Sequence, residues 1–111
     1  MITRIWHGYT TPENATAYEQ LLKTKIFPYI ADKGVPGYRQ IQLLRRPLEK
    51  EVEFITVMWF DSLEDVIRFA GEDYETAVVL PEADALLKRC DAKSQHYELA
   101  ETLNYQNRRP Q

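Results

Sequence analysis

Three side chains of this sequence can trade or donate a proton near neutral pH and also fall where a small fold can gather them: His7, His96 and Tyr74. A neutral imidazole accepts a phenolic proton, so His7 and His96 are candidate general bases. Tyr74 follows the Gly71-Glu72-Asp73 break and is a candidate hydrogen-bond donor to a phenolate. Trp6, Thr56 and Phe60 are the candidate walls of a ligand pocket, with the rings able to stack on a flat aromatic molecule. Each of these residues has a structural alternative: a histidine can be a hydrogen-bonded edge residue, Tyr74 a cap on the core, and strand-spaced aromatics plain core.

The remaining inventory is short. Two distant histidines without a carboxylate at ligand spacing do not make a metal site, and no glycine loop cradles a phosphate, so the expectation is that no cofactor and no metal is bound. The lone Cys90 excludes an internal disulfide and reads as a small buried hydrophobe. A net charge of −3 and a pI near 5.4 leave no basic stripe, and Arg45-Arg46 and Arg108-Arg109 are too scattered to form one, so no nucleic-acid partner is expected. Neither a signal peptide nor an apolar run of ~20 residues is present, which points to a cytoplasmic protein without a membrane partner.

The elements that must position these residues follow from periodicity. At 111 residues, 44% hydrophobic and 28% charged, the chain is expected to form a single domain over residues 1–103 with a polar tail over 104–111. Residues 2–10 alternate as a strand, with Ile2, Arg4 and Trp6 on one face and Thr3, Ile5, His7 and Tyr9 on the other. Thr10-Thr11-Pro12-Glu13 opens a helix through a capping box, and Ala15, Tyr18, Leu22, Ile26 and Tyr29 form its apolar face. Pro28 is expected to make that helix kink or restart near Phe27 before it ends at Lys33-Gly34. Strands over 37–46 and 51–60 form a hairpin, and a second helix starts at Asp61-Ser62 and stops at Gly71. Residues 74–80 and 82–89 are expected to continue the helical layer, and a last strand to run from 92 to 103.

The order strand, helix, strand, strand, helix, strand is an α+β, ferredoxin-like βαββαβ arrangement with a four-stranded antiparallel sheet. The third strand is apolar on both faces: Val52, Phe54, Met58 and Phe60 point one way, Ile55, Val57 and Trp59 the other. Two helices cover only one side of such a sheet. The second cover is expected to be another copy of the chain, with Trp59 in the interface of a homodimer.

Pro36-Gly37-Tyr38, the run Phe54 to Phe60 leading into Asp61-Ser62-Leu63-Glu64-Asp65, the ending Phe69-Ala70-Gly71 and the closing His96-Tyr97-Glu98-Leu99 together resemble the antibiotic biosynthesis monooxygenase family of dimeric α/β barrels. The resemblance covers nearly the whole chain. It implies a pocket between sheet and helices, and an activity such as cofactor-independent oxidation of a phenol or hydroquinone. In the haem-degrading members a tryptophan commonly stands where this chain has Phe60, a pocket asparagine is used, and a histidine of the second helical region ligates haem; this chain has Tyr74 there and no histidine. Haem degradation is therefore not expected. The competing readings are a non-catalytic dimer that binds a small ligand or serves under stress, and a small-lactone isomerase or lyase.

Overall fold

The computed structural model describes residues 1–106. Its spine is the antiparallel pair β1 (Ile2–Thr10) and β3 (Val52–Phe60), in register from Ile2 opposite Phe60 to Thr10 opposite Val52. β2 (Tyr38–Pro47) joins β3 as a hairpin closed by Leu48 and Glu51, with a bulge between Tyr38 and Gln40. Two short strands share the far side of β1: β4 (Arg89–Cys90) beside Tyr9 and Gly8, and β5 (Gln95–Glu98) beside Ile5 to Ile2. The resulting order, β2-β3-β1 and then β4 with β5, is that of a ferredoxin-like α+β sheet.

Helices lie on one face only. A 3₁₀ turn at Pro12–Asn14 leads into α1 (Ala15–Leu21), a π-helical stretch at Leu22–Ile26 and α2 (Phe27–Asp32); α3 (Leu63–Ala70) and the single turn α4 (Pro81–Asp84) complete the layer. The N-cap of the first helical run is Thr11, whose Oγ1 accepts from the Asn14 N–H, so the capping box expected between Thr10 and Glu13 does not form. At Pro28 the run changes character: the π-helical stretch ends at Ile26 and α-helix restarts at Phe27. A proline lacks the N–H and crowds the carbonyl four residues back; here the preceding turn widens, with the Phe27 N–H reaching back to the Leu22 carbonyl, and the helix continues. The extra residue in the wide turn rotates the register. Ala15, Tyr18, Leu22 and Ile26 are buried as expected, while Tyr29 is half exposed and Ile30 packs inward in its place.

The core on the helix side consists of two clusters, one around Tyr18, Leu22, Val52 and Phe54, the other around Met58, Phe60 and Val66. Tyr18 meets Phe54 edge-on at 4.9 Å between ring centroids. On the opposite sheet face Ile5, Ile55, Val57 and Trp59 are half-buried, and Leu44 and Tyr97 are exposed. No helix among the described residues is long and apolar enough to cross a membrane.

Three expected elements are changed, the first being the helix over 82–89, which is only the single turn α4, with Arg89 already in β4. Residues 74–80 are not helical: Leu80 is extended before Pro81, as the residue before a proline prefers, and Thr76 bridges to Lys93 instead. That bridge also shortens the last strand from 92–103 to 95–98. Around it the Ala77 N–H pairs with the Ala92 carbonyl and the Ser94 N–H with the Glu75 carbonyl, and beyond Leu99, which bonds Met1, β1 has no residue left to pair. Asn104 to Gln106 are irregular, and the rest of the expected tail, with Arg108-Arg109, lies outside the described residues.

Candidate functional site

Strand alternation decides which side chains can meet. Along β1 the even positions face the helices, so Arg4 lies opposite Met58 and Trp6 opposite Thr56 across the β1/β3 pair. The same pairing sets His96 of β5 beside Arg4 on that face. His7 is odd and points to the other face, opposite Ile55.

A cavity of about 80 Å³ opens between the sheet and the first helical run. Arg4, Trp6, Thr56 and Met58 form its floor, Tyr18, Leu22 and Ile26 one wall, and Phe69 and Val79 the other, with exposed Tyr29, Lys33 and Val78 at the mouth. Among the described residues no carboxylate lines it.

Arg4 dominates its electrostatics. Only 4% exposed, its guanidinium has no carboxylate partner among the described residues; it donates to the carbonyls of Tyr74 and Thr76 and to His96 Nε2 at 3.0 Å, and lies 5.5 Å over the Phe69 ring. Burial lowers its pKa to about 10, which still leaves it charged at neutral pH. A buried cation without a counter-ion is costly to hold, and the cavity beside it is where an anion would balance it. Because an arginine only donates, His96 Nε2 must accept, which puts the imidazole proton on Nδ1; that atom is buried without a partner. Burial first, and then the Arg4 charge, lower the His96 pKa below its ordinary value.

The expected site residues therefore separate. His96 and Tyr74 come together, rings edge-to-face at 5.1 Å, but neither lines the cavity: both stand behind Arg4. Trp6 and Thr56 line it, the Trp6 indole fixed by donating to the Asp91 carbonyl at 2.8 Å. Phe60, expected as a wall, is fully buried against Tyr38 and Phe69 and does not reach the cavity, because its end of β3 lies under α3. His7 is on the outer face, its Nδ1 3.1 Å from Glu53 Oε2. Glu53, 6% exposed, also accepts from Tyr9 and from Arg46. Burial pushes its carboxyl up, but the hydrogen bonds from His7 and Arg46 outweigh it and hold it below the usual carboxylate range. Trp59 lies on this outer face, donating to Gln42 Oε1 at 3.2 Å. Arg4 and Lys33 were missed; the signal was a charge at position 4, between Ile2 and Trp6 on an otherwise apolar strand face.

Comparison with known proteins places this geometry. No family model matches the chain, and no curated protein matches it. Among solved structures, a candidate antibiotic biosynthesis monooxygenase of Deinococcus radiodurans superposes with a TM-score of 0.60 at 19% identity, over 96% of this chain and 100% of that one. A second, from Bacillus cereus, gives 0.62 at 9% identity over 96% and 98%. The heme-degrader MhuD of Mycobacterium tuberculosis, solved with two hemes in its active site, gives 0.57 at 19% over 94% and 100%. The chain thus has the fold of the antibiotic biosynthesis monooxygenases. Its own residues do not suit haem: among the described residues no imidazole or thiolate lines the cavity. Among the described residues no group of three or more His, Cys, Asp or Glu side chains is gathered for a metal.

Proposed function

We propose that this protein is a cofactor-independent monooxygenase of the antibiotic biosynthesis monooxygenase kind, acting as a cytoplasmic homodimer on a small electron-rich aromatic. The observation that carries the reading is Arg4: a buried cation without a counter-ion on the floor of an apolar cavity. A phenol seated there has its ionised form favoured by the guanidinium, and its proton leaves to water at the mouth. The anion then supplies the electrons. One passes to dioxygen, the substrate radical and superoxide join through a new C–O bond, and the peroxide so formed takes up a proton and loses water to leave a quinone. The balance is one phenol and one dioxygen to one quinone and one water. The protein binds and orients the ring, holds the oxyanion and excludes bulk water. His96 and Tyr74 act through Arg4, as positioning residues, while Trp6 and Thr56 shape the floor. The homodimer is supported by the apolar stripe of Ile5, Ile55, Val57 and Trp59 on the helix-free face of the sheet.

The second reading, a non-catalytic binder of the same ligands, is favoured by one observation: among the described residues no imidazole lines the cavity. Oxygen uptake by the purified protein with a panel of phenols and hydroquinones, together with mass spectrometry of the products, separates the two. Uptake with incorporation of one oxygen atom is expected; binding without uptake across the panel replaces the oxygenase with the binder.

A further inference from the structure

The cavity has a second cation. Lys33, at the C-terminal end of α2, lines the mouth, with its ammonium 4.8 Å from the Phe69 ring centroid and 5.5 Å from that of Tyr29. It makes no ion pair among the described residues, as is also true of Lys50 and Lys93, but of these three it alone lines the cavity. The two rings hold it over the entrance. Arg4 and Lys33 both lie over the same Phe69 ring, one from the floor and one from the mouth. Of the five N–H donors of Arg4, three are taken by Tyr74, His96 and Thr76, leaving two without a protein partner among the described residues. Two unneutralised cations, one buried and one exposed, lining a small apolar cavity with no acid among its described residues fit a planar ligand with two acidic oxygens.

We infer that the ligand is a hydroxyaryl carboxylate, bound with its phenolic oxygen inward at Arg4 and its carboxylate outward at Lys33. This rests on reading the cavity as an aromatic-anion site, and it adds the second charge. The exposure of the two cations agrees with that orientation: Arg4 is buried on the floor, and Lys33 is exposed beside Tyr29 and Val78. A neutral phenol would leave Lys33 unmatched.

Calorimetric titration with 4-hydroxybenzoate and with its methyl ester tests the inference, since the two share the ring and the phenol and differ in the charge. The acid is expected to bind the wild-type chain about two- to fivefold more tightly than the ester, the scale of one solvent-accessible ion pair. In Lys33→Gln the affinity for the acid should fall to that for the ester, and Lys33→Arg should restore the preference. Lys33 is exposed, so these variants are expected to fold, with circular dichroism as the check. Equal binding of acid and ester, or a preference that survives Lys33→Gln, overturns the inference. An oxygen electrode run on the same samples keeps the two proposals apart. A Lys33-dependent preference without oxygen uptake leaves this inference standing and defeats the oxygenase; uptake with phenols that shows no preference does the reverse.

Discussion

The Arg4 guanidinium donates to His96 Nε2 at 3.0 Å across the β1/β5 pair, and the other nitrogen of that imidazole is buried without a partner. A cation thus leans on a neutral histidine. The bond exists only while Nε2 carries no proton, because a protonated imidazole has no acceptor to offer. The same proton would set two positive charges side by side in a region already short of counter-charge.

Stability should therefore fall when His96 is made to titrate. Its folded-state pKa lies below the ordinary value of 6.5, so the unfolded chain binds the proton more readily than the folded one. The contribution is fully present above pH ~6.5 and is lost as the pH falls from there toward the lowered folded value. The paired carboxylates Glu19, Glu51, Glu53 and Asp61 are also held below the usual carboxylate range and act in a more acidic window. Urea unfolding at pH 7.5 and 5.5 should show a loss that is absent in His96→Gln. An identical loss in the variant removes His96 as its source.

The turn between α2 and β2 depends on Gly37 having no side chain. A Cβ built there would lie 1.8 Å from Asp65 Oδ2, and the Asp65 carboxylate is held in place by Ser62 Oγ and Arg68. Gly37→Ala must push that carboxylate out of its hydrogen bonds and should cost about 1–3 kcal/mol, as overpacking does. Ser62→Ala, which removes the N-cap of α3, should cost ~1 kcal/mol. Because both act on the Asp65 carboxylate, the double variant should cost less than the sum of the singles. Full additivity in denaturant unfolding would separate them.

Local patterning made most of this fold legible. Strand alternation, Ser62 before an acidic first turn and Gly71 after the last one need only neighbouring residues, and β1, β2, β3 and α3 formed where that pattern put them. The last strand failed because its length is set at a distance: residues 92–94 pair with 75–77 around the Thr76–Lys93 bridge, and no periodicity within 92–103 reports it. The same limit applied to the site. The parity of β1 assigns His7 and Trp6 to opposite faces, yet which face carries the cavity depends on where the helices pack. Arg4 stood out only as a charge out of place, and its meaning needed the absence of any acid around the cavity.

The helix-free sheet face should pair two copies of the chain. Ile5, Ile55, Val57 and Trp59 form its centre, and Glu53 with His7, Tyr9 and Arg46 flanks them as a polar cluster already satisfied within one chain. Sedimentation at micromolar concentration should give about twice the 13.1 kDa chain mass. Trp59→Glu places a charge at the centre of that face, where burial without a partner costs several kcal/mol, and should shift the sample to monomer. A wild-type monomer, or a dimer indifferent to Trp59→Glu, would assign the face another role.

Arg4 gives the last and most direct test of the chemistry. If its charge holds the substrate oxyanion, Arg4→Met should lower turnover by ~100-fold, the scale seen when an oxyanion donor is removed. Stability should move far less. The variant loses three hydrogen bonds to Tyr74, Thr76 and His96, but it also relieves the chain of a buried cation without a counter-ion, and an apolar side chain of similar length suits the walls of Leu22, Ile26 and Met58. Arg4→Lys keeps the charge with fewer donors in a different geometry and should recover part of the loss. Oxygen uptake measured beside thermal unfolding reads both effects on one sample. Turnover that stays at the wild-type level in folded Arg4→Met would show that the cation balances something other than the substrate.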